Sequence, residues 1–316
     1  MPRILFVKTS SLGDVVHHCP AVSDAARELG DAEIDWVVEE SFAEVAAMHR
    51  AVRRVIPVAV RRWRRGLWAP RIWSEMGAFR REVAVEPYDR VIDSQGLLKS
   101  AVIALCAKGE RHGFDRESAR ESVAARLYDV RHRVPRELHA VERNRQLTAS
   151  ALGYAASAEC EYGLSAEGAL PMEMSRSYVV LLTMTSRADK LWPERSWVDL
   201  GRALALRDLP VILPWGNEVE RKRCERIALA IPEARVPRRF SLSELARLFR
   251  GARGVIGLDT GLSHLAVAMK VPVVGIFRGS DPALTGLYGG AQTVNLGGPG
   301  HLPSPDEVLG ALEACS

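Results

Sequence analysis

Gly254-Val255-Ile256-Gly257-Leu258-Asp259-Thr260-Gly261-Leu262-Ser263-His264 changes character once, at Asp259. Before that point lies a short apolar run of the kind that forms a buried strand. After it, small and hydroxyl residues lead into an apolar helix expected over 265–269. A strand that runs into a helix this way leaves several backbone N–H groups unpaired at the helix start. With the positive end of the helix dipole, those groups suit a phosphate. Asp259 or Thr260 would serve equally well as an ordinary N-cap, so the stretch alone supports both readings.

The same strand-to-helix alternation extends outward in both directions. Strands are expected over 4–7, 34–38, 55–60 and 91–93, and helices over 15–29, 42–49, 73–85 and 97–107. Residues 155–176 dissolve into Ala, Ser, Glu, Gly and Pro, which marks a domain boundary. Strands then resume at 179–182, 211–213, 255–258 and 271–277, with helices at 197–206, 218–230 and 242–250. Such alternation implies parallel sheets covered by helices on both faces. The expected class is α/β: two Rossmann-like, doubly wound domains, 1–160 and 175–316, facing each other across a cleft at the carboxyl ends of their sheets. In this reading the last helix is free to pack back on the first domain.

Composition narrows the function. At 47% apolar and 26% charged residues, the chain is an ordinary globular protein. It has no run of eighteen apolar residues, so no membrane span is expected. Residues 1–8 are too short for a signal peptide and read as a first strand, which points to the cytoplasm. Cys19, Cys106, Cys160, Cys224 and Cys315 are scattered and form no C-x-x-C pair, which argues against a disulfide framework or zinc site.

The net charge of +4 is unevenly placed. Residues 1–155 carry 25 Lys+Arg against 21 Asp+Glu, whereas residues 156–316 carry 18 of each, so the excess lies in the first half. It peaks where Arg50, Arg53, Arg54, Arg61, Arg62, Arg64, Arg65 and Arg71 occur without an intervening acid. Such a field attracts an anionic partner. With 37 arginines and only 6 lysines in the chain, part of this is compositional habit.

Three further loops carry candidate chemistry. Lys8-Thr9-Ser10-Ser11-Leu12-Gly13-Asp14 joins the first strand to the first helix and fits neither a Walker A nor a dinucleotide motif. Asp14 reads as a helix cap or as a general base for a substrate hydroxyl. Residues 183–193 set Thr185, Ser186 and Lys190 at a strand's carboxyl end, where hydroxyls and a compact cation suit a diphosphate leaving group. Residues 214–220 place Glu220 on the same side, either for ribose hydroxyls or as an acid favoured in a first helical turn. His264 reads as a buried structural histidine or a substrate contact, and no metal-ligand spacing emerges.

With these motifs in order, the chain resembles the lipopolysaccharide heptosyltransferases of glycosyltransferase family 9, most closely the branch that adds the first heptose. The blocks that carry the resemblance are K-T-S-S-L-G-D (8–14), D-W-V-V-E-E (35–40), V-I-P-V-A-V-R-R-W-R-R (55–65), V-I-D-S-Q-G-L-L-K-S (91–100), H-A-V-E-R (139–143), D-K-L-W-P (189–193), L-P-W-G (213–216) and D-T-G-L-S-H (259–264). The resemblance implies a GT-B fold. It also implies inverting transfer of L-glycero-D-manno-heptose from ADP-heptose to the first 3-deoxy-D-manno-octulosonic acid (Kdo) of Kdo2-lipid A, with no cofactor and no required divalent metal. Asp14 would then be the base, and Lys190 would stabilise the departing diphosphate. Thr185, Ser186, Glu220, Phe240, Asp259, Thr260, Gly261 and His264 would hold the donor. Arg61, Arg62, Arg64, Arg65, Lys99 and Arg120 would bind acceptor phosphates and carboxylates. Ser186 and Phe240 stand where Thr and Met are expected.

The implied location is peripheral, on the cytoplasmic face of the inner membrane. The sister transferase that adds the second heptose and a sugar-nucleotide epimerase are the enzymatic alternatives. A nonenzymatic polyanion binder is the other class. Nucleic acid is disfavoured by the acids spread through the first half and by the lack of an aromatic-basic RNA motif.

Overall fold

The computed structural model describes every residue except Leu67, Ser186, Ser280, Ala291 and Ser316. The chain forms two compact units, Met1–Leu164 and Ser165–Ser316. The break falls inside the helix-poor stretch 155–176.

In the first unit, strands β1 (Arg3–Val7), β2 (Glu33–Glu39), β3 (Val52–Val58), β4 (Pro87–Asp93), β5 (Lys108–Phe114) and β6 (Val130–His132) make one sheet. Every pairing is parallel and the order is β3-β2-β1-β4-β5-β6. β1 lies at the centre because Ile4, Leu5, Phe6 and Val7 are fully buried on both faces. Leu5 and Val7 pack with Phe79 and Val83 of the helix Pro70–Val83 and with Ile103 of the helix Leu98–Ala104. Phe6 points the other way and meets His18 edge-on.

Two local expectations are corrected here. The helix expected over 15–29 is two helices, Leu12–Val16 and Cys19–Leu29. Pro20 has no N–H, and its ring would clash with the Val16 carbonyl, so one continuous helix cannot pass. The strand expected over 55–60 stops at Val58, and Val60–Trp63 is a helical turn.

In the second unit, β7 (Val179–Leu182), β8 (Val211–Ile212), β9 (Gly254–Leu258), β10 (Val273–Phe277) and β11 (Thr293–Gly297) form a second parallel sheet. Its order is β11-β10-β9-β7-β8. Gly257 is needed in β9 because a Cβ there would lie 2.3 Å from Ser263 Oγ, on the helix Gly261–Ala268. The last helix, Pro305–Cys315, is spent inside this unit: Val308, Leu309 and Leu312 join the core that holds Trp197, Leu200 and Ile256.

In each sheet the strand order reverses once, between β1 and β4 in the first and between β7 and β9 in the second. Helices leave neighbouring strands in opposite directions at such points, which opens a crevice at the carboxyl ends. The loops after β1, β4, β7 and β9 are therefore the places to look for chemistry.

Candidate active site

In the first unit, the loop after β1 is tied to the loop after β4 before any ligand binds. The Gln95 side-chain carbonyl accepts from the backbone N–H of Thr9 and of Ser10, each at 3.1 Å. The Lys8 ammonium is buried and donates to the Ser94 carbonyl at 2.8 Å and to Asn144 Oδ1 at 3.1 Å. Burial pulls its pKa down to about 8, against the opposing pull of Asp14. Asn144 in turn donates to the His17 carbonyl at 3.0 Å.

Asp14 sits in the first turn of Leu12–Val16, so the capping geometry is real: the Ser11 N–H donates to its Oδ2 at 2.8 Å. Its other oxygen takes an ion pair from Arg120 at 2.7 Å. Burial pushes the carboxyl's pKa up, but Lys8, Arg120 and the Ser11 N–H outweigh it and hold the group below the ordinary aspartate value. Asp14, Lys8, Gln95, Phe114, Arg120 and Arg143 line a pocket of about 20 Å³, room for about one water. Asp14 is thus both a cap and an ionised carboxylate facing a cavity. Lys99, also assigned to the acceptor, donates to Ser10 Oγ at 2.8 Å and joins the same assembly.

The arginine segment is less free than its sequence implies. Arg53 and Arg54 both bind the fully buried Asp35, and Arg53 also binds Glu86, so they tie β3 to its neighbours. Arg62 bridges Glu40 at 3.1 Å and Glu75 at 2.5 Å, and Arg71 also takes Glu75. These acids come from other segments, which a local charge count cannot see. Arg62 therefore already holds two carboxylates, and an acceptor anion would have to compete with them. Arg61 lies over the Phe42 ring at 5.1 Å, and Arg64 and Arg65 are exposed.

In the second unit, the loop after β7 is anchored at its far end. Trp192 is buried edge-on against Trp197 at 4.8 Å, and its indole N–H donates to the Pro303 carbonyl at 3.0 Å. That anchor fixes Lys190, whose ammonium contacts Asp259 Oδ2 at 2.5 Å. Thr185 Oγ1 donates to the Asp259 carbonyl at 3.1 Å. Lys190, assigned to the leaving group, thus meets the assigned donor residues Thr185 and Asp259 across the β7–β9 switch point. Thr260 is the N-cap of Gly261–Ala268, but its side chain makes no capping bond. Ser263, buried behind, returns its hydroxyl to the Leu258 carbonyl at 2.7 Å, and His264 is 4% exposed. Ser186 lies outside the described residues.

Glu220 and Phe240 are more self-contained. The Glu220 carboxylate accepts from the Gly216 N–H at 2.7 Å and from Asn217 Nδ2 at 2.8 Å, closing the cap of the helix Glu218–Ala228. Phe240 is buried under the Arg238 guanidinium, 5.0 Å from its ring centre.

Sequence reading passed over Lys8, Gln95 and Asn144 as site residues, although the first two lie in motifs quoted for the resemblance and Asn144 directly follows another. Their signal was a polar side chain inside an otherwise buried stretch. Among the described residues, no group of three or more His, Cys, Asp or Glu could hold a metal ion. No helix of the described residues is long and apolar enough to cross a membrane.

Two parallel sheets, each with a switch-point site, are the elements of a GT-B fold, and the comparisons with known proteins make the chain a glycosyltransferase. The model of glycosyltransferase family 9 (heptosyltransferase) matches residues 76–308, and the chain belongs to that family. It is 46% identical over 297 residues to lipopolysaccharide heptosyltransferase 1 of Pseudomonas aeruginosa, covering 93% of this chain and 83% of that protein. Against the protein of the same name from Salmonella typhimurium it is 41% identical, covering 99% of this chain and 98% of the relative. Among solved structures, the E. coli heptosyltransferase WaaC with ADP superimposes with a TM-score of 0.93 at 39% identity, covering 99% of this chain and 100% of that one. The same E. coli protein has been solved with ADP-2-deoxy-2-fluoro heptose, with a TM-score of 0.90.

Proposed function

We propose that this chain transfers L-glycero-D-manno-heptose from ADP-heptose to the first Kdo of Kdo2-lipid A, with inversion and without a metal, at the cytoplasmic face of the inner membrane. The observation that carries the reading is the meeting of Lys190, Asp259 and Thr185 at the β7–β9 switch point, beside a helix N-terminus. That constellation suits a nucleoside diphosphate. The E. coli relative, solved with ADP and with an ADP-heptose analogue, supports the same donor here.

In this reading, Asp14 takes the proton from the acceptor hydroxyl as its oxygen forms a bond to the anomeric carbon. The bond from that carbon to the diphosphate oxygen breaks, and its electrons leave with ADP. Lys190 offsets the charge that grows on the diphosphate, an interaction stronger in the transition state than in the ground state. The Asp14–Arg120 pair adds a trigger. A carboxylate or phosphate of the acceptor competes for the Arg120 guanidinium. Once Arg120 turns to it, Asp14 loses one of the contacts that depress its pKa while its burial remains, so it becomes a stronger base.

The test is incubation of the purified protein with ADP-heptose and Kdo2-lipid A, with and without EDTA, scored by product mass. The expected result is the gain of one heptose in both arms. Transfer only to an already heptosylated acceptor would make this the sister enzyme, and loss of transfer in EDTA would make it metal-dependent.

A further inference from the structure

Beside the arginine segment, the first unit holds a groove of about 930 Å³, the size of a small-molecule site at ~300–1,000 Å³. Its lining is apolar: Val60, Trp63, Met76, Phe79, Val102 and Ile103. Arg64, Arg80, Lys99 and one acid, Glu121, also line it. Several of its lining apolar side chains face water: Trp73 is 59% exposed, Val102 50% and Leu98 43%. Monomeric proteins rarely present such a contiguous patch without a use for it.

Charge says what covers this face. Residues 60–81 contain seven arginines and one acid, Glu75. Arg62 and Arg71 pair with Glu75, and Arg62 also with Glu40, so the charge at the groove itself comes from Arg64, Arg80 and Lys99 against Glu121. An apolar groove with a cationic rim matches an amphiphile whose tail is hydrocarbon and whose head is anionic. Tryptophans at the edge of such a face match a bilayer interface, where an amphipathic ring is at home. Apolar burial combined with attraction to anionic lipid is the general basis of peripheral membrane binding.

We infer that this groove and its tryptophan rim are the membrane-docking surface of the protein, seated on an anionic lipid bilayer with an acyl chain entering the groove. The inference deepens the proposed function and rests on its lipid acceptor, because it names the face that meets the membrane.

The test is co-sedimentation of the full chain with vesicles of palmitoyl-oleoyl phosphatidylglycerol and phosphatidylcholine, against pure phosphatidylcholine vesicles. The parent should bind the anionic vesicles, and less as salt rises. Trp73→Glu and Val102→Glu, each at a water-facing position, should weaken that binding by about tenfold or more, in line with the loss of apolar burial. Both variants should transfer heptose to an O-deacylated, soluble acceptor at the parental rate. As a second measurement, in a Cys160→Ser background, anionic vesicles should slow maleimide labelling of Cys106, which lines the groove.

Unchanged vesicle binding in both variants would overturn the inference. So would parental binding that appears only when Kdo2-lipid A is added to the vesicles, since the face would then serve the acceptor alone. A concentration-dependent dimer that Val102→Glu abolishes, in a parent that ignores vesicles, would assign the groove to a second copy instead. If no acceptor is heptosylated at all, the proposed function fails while the vesicle result still decides the groove.

Discussion

The two switch points are built in opposite ways. At β1–β4, polar groups are already paired with one another: Gln95 with two backbone N–H groups, Lys8 with Ser94 and Asn144, and Asp14 with Ser11 and Arg120. At β7–β9 the Lys190–Asp259 ion pair and the Thr185 hydroxyl bond join the two loops, and the N-cap side chain of the following helix makes no capping bond. The first site is largely paired without a ligand, although Thr9 Oγ1 and Arg143 Nε are buried without a partner among the described residues. In the proposed reading an incoming acceptor competes for a partner there, whereas the second site gains partners when a ligand arrives. A base is well served by the first design, since its environment is set in advance. A phosphate-binding loop is well served by the second, since backbone N–H groups at a helix start are satisfied by the ligand itself.

The largest expected effect tests the preset site. Asp14→Asn keeps the shape and both capping partners within reach while removing basicity. The turnover number should fall by roughly a thousandfold, with ADP-heptose affinity by calorimetry unchanged. Near-normal turnover would reduce Asp14 to its capping role. Next comes the ligand-completed site. Lys190→Ala should lower the turnover number by about a hundredfold, as for loss of one preorganised charge-stabilising donor, and weaken ADP binding far less. Equal losses in the two measurements would make Lys190 a ground-state anchor and erase the contrast.

The smallest effect is the one that sharpens the comparison most. In the proposed reading the working form of Asp14 is ionised, so kcat/KM should be lost as pH falls through its pKa, which lies below the ordinary aspartate value. Arg120→Ala removes a neighbouring charge and a hydrogen bond that both lower that pKa, leaving burial to raise it. The acid limb of the kcat/KM profile should therefore move to higher pH, with the alkaline side unmoved. An unshifted limb would mean that Arg120 does not tune the base.

The α/β class and the core strands were legible because β1, β7, β9 and β10 are buried on both faces and read as continuous apolar runs. β5 was not legible: Lys108-Gly109-Glu110-Arg111-His112-Gly113-Phe114 carries little hydrophobicity. It is recognised only from its pairing with β4 and β6. The β7 and β9 loops could be read because small, hydroxyl and charged residues follow directly on strands. The arginine segment carries less unpaired charge than its sequence density implies, for a physical reason. Asp35, Glu40, Glu75 and Glu86 neutralise much of it through contacts made only by the fold, and charge density along a chain cannot anticipate them. The pairing of Asp14 with Arg120, 106 residues apart, was equally invisible.

The helix Ala140–Leu152 sets an order on how the β1–β4 site is made. Its Arg145 is 2% exposed and meets the buried Asp24 at 2.7 Å, and its Asn144 receives the buried Lys8. During synthesis, Lys8 and Asp24 leave the ribosome more than a hundred residues before those partners. Until that helix arrives, Asp24 has Arg27 on its own helix and Lys8 has the Ser94 carbonyl, so each buried charge holds one partner fewer than in the finished fold. The loop that carries Asp14 is therefore among the earliest segments translated, yet its neighbours gain their full set of partners only when the last helix of the unit is delivered.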